Sequence, residues 1–450
     1  MGDDRQGGGK RPSGRTTGGL FELQIDRLAW GGRGVGRHRG KVVFVSKVVP
    51  GDRLLARAEK VKASFTEARM VGLLTPGEDR VDPRCPWFAR CGGCQWLAAG
   101  YSRQVLEKDH ILRSALRHHV EGARIDPIVR AAPPQAYRHR GDFHVRPTLS
   151  GARLGFYEEG SHRLVEVEGC LLFSPGFDAA LGRMRSLLAK IPEARGLERI
   201  TLAHSEDGTG TVAHLRLRPD GDAGAARCCA EQMKPMGLKG IVATGGRRGP
   251  VLQWQGGDPH IWFHVPDSHG ELRLRAEIRS FTQAHLAMNR RLVPEAVAWL
   301  GLSKSDRVLD LFSGVGNFTL PMATRCKEVV AVEGSATACA DARFNAEGNG
   351  VANVVHMEEE AAKAAAHLAG QGAAFDAILL DPPRGGAADL LQSLSRLAPT
   401  RILYVSCNIP SLGRDLDQLR NLGYRLARAQ GWDMFPQTYG LEALCLLEKG

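Results

Sequence analysis

The sequence has no apolar segment long enough to cross a membrane. Hydrophobic residues make up 43% of its 450 residues, but no apolar run approaches the ~20 residues that a spanning helix needs. Residues 1–19 lack an apolar core as well and are rich in glycine, arginine and serine. We therefore expect no signal peptide and no membrane span, but a disordered basic tail on a cytoplasmic protein.

Acidic residues are too few to balance the basic ones. The chain has 60 Lys and Arg residues against 49 Asp and Glu residues, a formal net charge of +11 and a pI of about 9.3. Such an excess attracts polyanions through counterion release, which makes RNA or DNA the expected partner. A solvated basic surface without a partner is the alternative that charge alone leaves open.

The missing secretory segment also bears on the ten cysteines. Thiols of a cytoplasmic protein stay reduced, so we interpret them as metal ligands, nucleophiles or packing residues and not as disulfides. A chain of this length exceeds one ordinary hydrophobic core. After the tail, we expect three domains, over residues 20–75, 76–280 and 281–450.

The first predicted domain is a small all-β module. Short apolar segments are separated by glycine-rich and Pro-Gly turns, which is typical of strands joined by tight turns. The predicted strands cover residues 21–25, 41–45, 52–56 and 64–68. This order of features resembles the TRAM domain, a small OB-like β-barrel of RNA-modifying enzymes. A β-barrel of unrelated use is the alternative.

Three cysteines lie close together in the second predicted domain, namely Cys85, Cys91 and Cys94. Their spacing, with a Gly-Gly pair before the last, lets the backbone fold around a metal. The fourth ligand would come from farther along the chain, and Cys170 is the best candidate. Four cysteines satisfy both zinc and a 4Fe-4S cluster, and the spacing does not decide between them.

The rest of the second domain is β-rich and follows a helix expected over residues 101–117. In one predicted strand, arginines alternate with aromatic residues: Tyr137, Arg138, Arg140, Phe143 and Arg146. Arginines on phosphates and rings stacked on bases would suit RNA. A strand with one solvated charged face and one apolar face explains the same residues.

From Arg307 onward, strands and helices alternate. This alternation predicts an α/β domain with a doubly wound, Rossmann-like sheet of about seven strands. A helix is expected before it, over residues 286–300. The predicted strands cover residues 308–311, 328–332, 353–357, 374–380, 401–406, 424–430 and 441–447.

The first of these strands ends in a glycine turn that predicts a nucleoside ligand. Asp310 is followed by Gly314 and Gly316, and the next strand ends at Glu333, near the ~20-residue offset at which an acidic side chain meets a ribose hydroxyl. Thr319 stands where a dinucleotide site would have a third glycine. S-adenosylmethionine has no phosphates and carries a cationic centre, so acidic strand ends suit it better than a pyrophosphate.

Two later strands end at reactive groups. One runs into Asp381, and the next stops at Cys407, because the Asn408-Ile-Pro410 segment cannot continue a sheet ladder. Ligands of open α/β sheets bind outside the carboxyl ends of the strands, so we expect this thiol to face substrate. A small buried hydrophobe is the alternative interpretation of any single cysteine.

A thiol beside a methyl donor suits methylation of a pyrimidine at carbon 5. That carbon is a poor nucleophile in the neutral ring, but addition of a thiolate at carbon 6 makes it enolate-like. A base must then remove the carbon-5 proton. Glu442, at a strand start next to a turn, is the candidate, although a glutamate at a strand edge is usually only solvated.

These residues together resemble the TRAM-domain, RumA/TrmA-type family of S-adenosylmethionine-dependent RNA uracil-5 methyltransferases, from about residue 21 to the end. The motifs that carry the resemblance are the cysteine group, Phe281-Thr-Gln283, Asp310 to Asn317, Asp381-Pro-Pro-Arg384, Val405-Ser-Cys407-Asn408, and Asp433 to Thr438 with Glu442.

The resemblance implies a role for each position. It makes Cys407 the nucleophile and Glu442 the proton acceptor. It assigns binding of the methyl donor to Gln283, Phe312, Gly314, Asn317, Glu333 and Asp381. It assigns a 4Fe-4S cluster, with a structural or RNA-binding role, to Cys85, Cys91, Cys94 and Cys170.

The chain departs from the family pattern at three places. Cys407-Asn-Ile-Pro410 replaces the usual Cys-Asn-Pro, Gln283-Ala-His285 replaces Gln-x-Asn, and Gly440 stands where a histidine is common. These departures bear on substrate contacts and not on the reaction.

The resulting expectation is a monomeric RNA (uracil-5-)-methyltransferase that acts on large-subunit ribosomal RNA, with transfer RNA as the second choice. An RNA cytosine-5 methyltransferase is the closest alternative, but it would carry a Pro-Cys dipeptide in the loop of Asp381. A non-catalytic iron-sulfur RNA-binding protein is the alternative from another class, and failure to bind S-adenosylmethionine would favour it.

Overall fold

The computed structural model describes residues 19–450, with the exception of residues 220, 222, 234–235 and 246–250. The predicted basic tail lies outside the described residues, apart from its last position. Within the described ranges, no helix is long and apolar enough to cross a membrane.

A six-stranded sheet forms the N-terminal part of the structure. Its strands are β1 (Leu20–Gln24), β2 (Arg27–Leu28), β3 (Gly34–His38), β4 (Lys41–Val45), β5 (Arg53–Val61) and β6 (Phe65–Thr75). The order across the sheet is β1-β5-β6-β4-β3-β2, and only β4 and β6 pair in parallel. Alternate residues, such as Leu23 with Ile25 and Val43 with Val45, form its core, as expected for strands with one buried face.

A helix and a strand follow this sheet, namely α1 (Tyr101–Leu116) and β7 (Arg124–Val129). Next comes a seven-stranded sheet in the order β10-β9-β8-β11-β12-β13-β14. Its strands are β8 (Arg140–Pro147), β9 (Ala152–Tyr157), β10 (Leu164–Glu166), β11 (Leu197–His204), β12 (Thr211–Leu217), β13 (Leu238–Gly245) and β14 (Val251–Gly257). Helices α2 (Pro175–Leu188) and α3 (Ala223–Met233) share one apolar core with it.

The C-terminal part begins with a hairpin of β15 (His260–Asp267) and β16 (Gly270–Glu277). Its helices are α4 (Leu286–Leu300), α5 (Thr319–Ala323), α6 (Ala336–Gly348), α7 (Ala361–Gly370), α8 (Leu391–Leu397) and α9 (Ile409–Asn421). Its strands are β17 (Arg307–Leu311), β18 (Glu328–Glu333), β19 (Val354–Glu358), β20 (Ala377–Leu380), β21 (Arg401–Ser406), β22 (Tyr424–Trp432) and β23 (Glu442–Lys449). The helix predicted over residues 286–300 is confirmed.

The strands of this part form one sheet in the order β19-β18-β17-β20-β21-β23-β22-β7. Strands β17 to β21 run parallel, and β23 pairs antiparallel with both of its neighbours. Two separate apolar clusters cover its two faces, which explains why the central strands are almost continuously apolar. The predicted doubly wound α/β sheet is confirmed.

The sheet has eight strands, one more than predicted. The additional strand is β7, which pairs in parallel with β22, although it lies in the predicted 76–280 domain. Sequence alone did not reveal this pairing, because β7 and β22 are some 300 residues apart and β7 contains Pro127, which is typical of an edge strand.

Helix α1 presents an unusual buried polar face. Glu107 and Lys108 are both buried, and each has a distant partner. Glu107 Oε2 accepts a hydrogen bond from the Leu28 backbone N–H at 3.0 Å. Lys108 Nζ lies 2.6 Å from Asp433 Oδ1, and both side chains of this ion pair are fully buried. The helix therefore connects the N-terminal sheet to the segment that follows β22.

Replacing Lys108 with methionine should destabilise the protein by about 3–5 kcal/mol, because losing one partner of a buried ion pair leaves the other charge buried and unpaired. The free energy of unfolding in urea checks this expectation. Lys363→Met is the matched control, since Lys363 and Glu360 form an exposed ion pair worth at most about 1 kcal/mol. Equal losses for the two variants would contradict a structural role for the buried pair.

Candidate active site

The carboxyl ends of neighbouring strands meet at one edge of the C-terminal sheet. β17 lies between β18 and β20, and the strand register sets Leu311 beside both Val332 and Leu380. The residues one position further along therefore lie at the same level: Phe312, Glu333 and Asp381. Chain order reverses between β17 and β20, and such switch points are where ligands bind in open α/β sheets.

The turn after β17 requires left-handed backbone conformations. Phe312, Gly314 and Gly316 have φ values of 67°, 57° and 95°, a region that favours glycine. A phenylalanine in this region is strained, and such strain concentrates at functional sites. Glu333 stabilises the turn, because its Oε2 accepts a hydrogen bond from the Gly314 N–H at 3.0 Å, while its Oε1 accepts one from the Ser335 N–H at 2.8 Å.

One cavity brings together most of the residues assigned to the methyl donor. Its lining includes Gln283, Phe312, Gly314, Asn317 and Asp381. The remaining one, Glu333, reaches it through its hydrogen bond to Gly314. The predicted donor residues, which are spread over almost 100 positions of the sequence, are therefore neighbours in the fold.

Asn289 belongs to this site, although the sequence did not single it out. Its Nδ2 donates to Asn317 Oδ1 at 2.7 Å, and its Oδ1 accepts from Asn317 Nδ2 at 3.1 Å. The two amides fix each other's orientation at the cavity wall. The available signal was a polar residue within the buried face of α4 that also holds Met288 and Leu292.

Asp310, in contrast, is not among the residues that line the cavity. It is buried, with 1% of its surface exposed, and Thr319 Oγ1 donates a hydrogen bond to its Oδ2 at 2.5 Å. Burial raises the pKa of Asp310 to about 7. Thr319, at the position of the missing third glycine, thus serves as the partner of this carboxyl group.

Cys407 and Glu442 lie at the same end of adjacent strands. β21 and β23 are antiparallel, with Ser406 opposite Ala443, so the position after β21 faces the first residue of β23. Glu442 is buried, and its Oε1 has no hydrogen-bond partner among the residues described. The two residues predicted as nucleophile and base are therefore brought together.

Nearby charges and burial strongly shift the pKa values of these groups. Burial, together with the nearby Glu442 and Asp381 carboxyls, raises the pKa of the Cys407 thiol to about 11, against the opposing effect of Arg384. Burial raises the pKa of Asp381 to about 7. Burial and the Asp381 charge raise the pKa of Glu442 well above its usual value. Clustered groups with shifted pKa values are typical of catalytic sites.

The loops around Cys407 are tied to each other. Asn408 Nδ2 donates to the Arg384 carbonyl at 2.7 Å, which joins the loop after β21 to the loop after β20. Pro410, one of the departures from the family pattern, lies in the first turn of α9. Proline is well accommodated there because its missing N–H would have no intrahelical partner.

The segment between β22 and β23 is fixed by residues from the first half of the chain. Gln104 exchanges two hydrogen bonds with Gln437, of 2.8 Å between the side chains and 2.9 Å from the Gln437 N–H. The Tyr137 hydroxyl donates to the Pro436 carbonyl at 3.2 Å. Together with the Lys108 ion pair, these contacts hold the segment that leads to Glu442.

The predicted use of the arginine- and aromatic-rich strand for stacking RNA bases is wrong. Tyr137 and Phe143 are 8% and 0% exposed, so neither ring is available to a base. Tyr137 instead stacks on His285, with 4.5 Å between ring centroids, and Arg140 Nη1 donates to the Ser280 carbonyl at 2.7 Å. A strand with one buried face and one solvated face explains this alternation of arginine and aromatic residues.

The four predicted cysteine ligands line one small cavity of about 50 Å³: Cys85, Cys91, Cys94 and Cys170. Arg138 lines it as well, together with aromatic and aliphatic side chains and no carboxylate. Within the described part of the chain, no three His, Cys, Asp or Glu residues are arranged to hold a metal ion. The four thiols therefore surround one small cavity.

The fold is that of an α/β methyltransferase. The family profile described as tRNA (Uracil-5-)-methyltransferase matches residues 265–450. Among solved structures, the Pyrococcus abyssi tRNA (uracil-54, C5)-methyltransferase in complex with S-adenosyl-L-homocysteine shares the fold, with a TM-score of 0.69 and 22% identity over 94% of this chain and 100% of that chain.

Two curated relatives extend the match along almost the whole chain. Both are named 23S rRNA (uracil(1939)-C(5))-methyltransferase RlmD. The protein from Pectobacterium atrosepticum is 36% identical over 92% of this chain and 90% of its own length. The protein from Salmonella paratyphi A is 35% identical over 96% of this chain and 97% of its own length. The chain belongs to the family of S-adenosylmethionine-dependent RNA uracil-5 methyltransferases.

The buried carboxyl of Asp310 should make stability depend on pH. Its pKa is about 7 in the folded protein and ~3.9 in the unfolded chain, so the folded state retains a proton that the unfolded state releases. This contribution is fully present below pH ~4 and is lost as the pH rises through about 7. In Asp310→Asn, the thermal unfolding midpoint should fall less between pH 5 and pH 8 than in the wild type. The exposed Asp389→Asn is the control, and a wild-type profile for Asp310→Asn would contradict the assignment.

Proposed function

We propose that this protein transfers a methyl group from S-adenosylmethionine to carbon 5 of a uridine in large-subunit ribosomal RNA. The observation that carries the proposal is the pairing of Cys407 with Glu442 at the strand ends beside the donor cavity. The names of the curated relatives supply the RNA class.

Cys407 is the nucleophile in this proposal. Its thiolate adds to carbon 6 of the uracil ring, which makes carbon 5 nucleophilic enough to take the methyl group, while the methyl–sulfur bond of the donor breaks and S-adenosylhomocysteine leaves. Two features favour the thiolate over the thiol once RNA is bound: the Arg384 charge and the N-terminus of α9, which begins two residues later.

Glu442 is the base. After methyl transfer, its carboxylate accepts the proton on carbon 5, and the carbon–sulfur bond then breaks to return the thiolate of Cys407. A carboxyl whose pKa is raised is a stronger base when ionised, which suits removal of a carbon-bound proton. The unpartnered Oε1 supports this role, since a buried carboxylate oxygen without a hydrogen bond is free to take a proton.

The donor would be held by the residues of the cavity and its turn: Gln283, Phe312, Gly314, Asn317, Glu333 and Asp381. When bound, S-adenosylmethionine supplies the electrophilic methyl group. Gln283 is buried and its side chain has no hydrogen bond in the described structure, so its amide is available to a ligand. Glu333, whose carboxylate accepts from the Gly314 N–H, would accept a further hydrogen bond from a ribose hydroxyl of the donor.

We further propose a 4Fe-4S cluster on Cys85, Cys91, Cys94 and Cys170. Four thiols around a cavity suit a cluster, in which each thiolate binds a different iron, better than a single ion. Two cations lie beside the thiols and would offset the negative charge of the thiolates. Lys47 Nζ donates to the Cys91 carbonyl at 3.2 Å, and Arg138 lines the cavity.

The proposal extends to the division of the chain. The N-terminal sheet corresponds to the predicted TRAM-like module, residues 20–75, and the seven-stranded sheet with the cysteines to residues 76–280. Residues 281–450 would form the catalytic domain, completed by α1 and β7. A cytoplasmic location and a monomeric state stay predictions.

Three alternatives stand beside this proposal. Transfer RNA is the second candidate substrate, because the matching family profile and the Pyrococcus abyssi structure carry that name. Cytosine is disfavoured as the target base, since Pro382, Pro383 and Arg384 follow Asp381 without a cysteine. A non-catalytic RNA-binding protein would have no need for the paired thiol and carboxyl group.

Cys407→Ala should abolish methylation, because without the thiol the target carbon stays a poor nucleophile. Nucleoside mass spectrometry of separated ribosomal and transfer RNA, from a strain that lacks the gene and is rescued with each variant, measures 5-methyluridine in each RNA class. We expect the modification to return in ribosomal RNA with the wild type and with Cys228→Ala, but not with Cys407→Ala. Methylation restored by Cys407→Ala would refute the mechanism, and restoration in transfer RNA alone would correct the substrate.

The cysteine group should give a brown protein with visible charge-transfer absorbance, purified without oxygen. Cys91→Ser should lose this colour and its iron, because the cluster loses a thiolate ligand. Cys228→Ser, which changes a thiol outside the group, should keep both. Stoichiometric zinc in a colourless wild-type protein would reject the cluster.

A further inference from the structure

A groove separates the outer face of the N-terminal sheet from helix α1, with a volume of about 660 Å³. One wall consists of two cross-strand pairs of β3 and β4, Val35 with Phe44 and Arg37 with Val42. The facing wall is the side of α1 that carries His110, Ile111, Ser114, Ala115 and Arg117. We refer to this feature as the α1 groove.

The α1 groove reaches the active site. Ile409 and Pro410 line one end of it, and they open helix α9 directly after the loop of Cys407. Trp30 lines it as well, and its ring contacts that of Tyr439 edge-on at 5.2 Å. Tyr439 lies in the segment that leads to Glu442. A polymer whose target base sits at Cys407 can therefore continue into this groove.

The lining combines apolar surface with positive charge. Val35, Val42 and Phe44 are half-buried and lie outside the apolar core of the sheet. Three exposed arginines stand along the groove, Arg27, Arg37 and Arg117, against one carboxylate, that of Asp26. Aromatic rings for bases and a cationic edge for the backbone are the two features of single-stranded RNA sites. A duplex would present phosphates to the apolar wall, so the chemistry favours an unpaired nucleotide.

We propose that the α1 groove binds an unpaired nucleotide of the same RNA strand that carries the target uridine. The base stacks on Phe44 between the two walls, and the arginines contact the adjoining phosphates. The groove thus selects RNA in which the target has an unpaired neighbour. This inference rests on the proposed function, because it takes the RNA at Cys407 as its starting point.

The test of stacking uses Phe44→Ala in the full-length protein. Loss of one stacked base should raise the KM for unmethylated large-subunit ribosomal RNA and the Kd for fluorescein-labelled oligouridine about tenfold. The kcat and the Kd for S-adenosylmethionine should stay near the wild-type values. Phe21→Ala is the control, since Phe21 is half-buried in the same sheet and outside the groove. Phe44→Leu retains the apolar volume without the ring and should show the same KM effect if Phe44→Ala does not fold.

The test of charge compares two triple variants of equal net charge. Arg27, Arg37 and Arg117 are changed to Gln in one, and the exposed Arg183, Arg396 and Arg425 in the other. Each lost phosphate contact lowers the slope of log Kd against log salt by ~0.7 for a single strand. The slope of the groove variant should therefore fall by about 2, and that of the control variant should change little. Equal slopes would overturn the proposal.

The outcomes separate this inference from the proposed function. Unchanged KM and Kd in the groove variants, with wild-type methylation that depends on Cys407, would reject the α1 groove and leave the function intact. A wild-type protein that neither binds nor methylates RNA would reject both. A dimer in the wild type that becomes a monomer in the groove variants, by light scattering, would assign the groove to self-association and overturn the RNA site.

Discussion

The geometry of the candidate active site depends on the buried ion pair between Lys108 and Asp433. Neither side chain is accessible to water, so each charge is tolerable only because of the other. The pair fixes the segment between β22 and β23, and this segment determines where Glu442 begins its strand. Lys108 occupies the helix whose Glu107 also binds the N-terminal sheet. One helix therefore contacts both the segment that leads to Glu442 and the sheet that forms the α1 groove.

The reactive groups are positioned by strand register. Phe312, Glu333 and Asp381 are level because three parallel strands end together, and Cys407 meets Glu442 because an antiparallel strand is inserted beside β21. The backbone hydrogen bonds of the sheet hold these strand ends in register. Outside the strands, side-chain hydrogen bonds position the chain. Examples are the amide pair of Asn289 with Asn317 and the hydrogen bond from Asn408 to the Arg384 carbonyl.

Sequence predicted those features that depend on local order. Apolar runs ended by glycine, proline or a polar residue located the strands of the catalytic sheet, and the reactive groups followed from their ends. It failed where the determinant is distant in the chain. The pairing of β7 with β22, the ion pair of Lys108 and the amide pair of Asn289 have no local signal. The residue pattern around Tyr137 and Phe143 fits an RNA-binding β-strand and a half-buried β-strand equally well. Only the burial of the two rings in the structure decides between these interpretations.

The bond from Lys108 to Asp433 joins residues 325 positions apart, and this separation affects how the protein matures during translation. Lys108 leaves the ribosome 325 residues before Asp433, so a side chain that is buried in the folded protein has no partner during that interval. Loop closure over such a distance is slow. The nascent chain must keep α1 and the edge of β7 available until β22 emerges, and during that interval both are exposed to non-native pairing. The segment that leads to Glu442 can therefore be fixed only after both halves of this ion pair have been made.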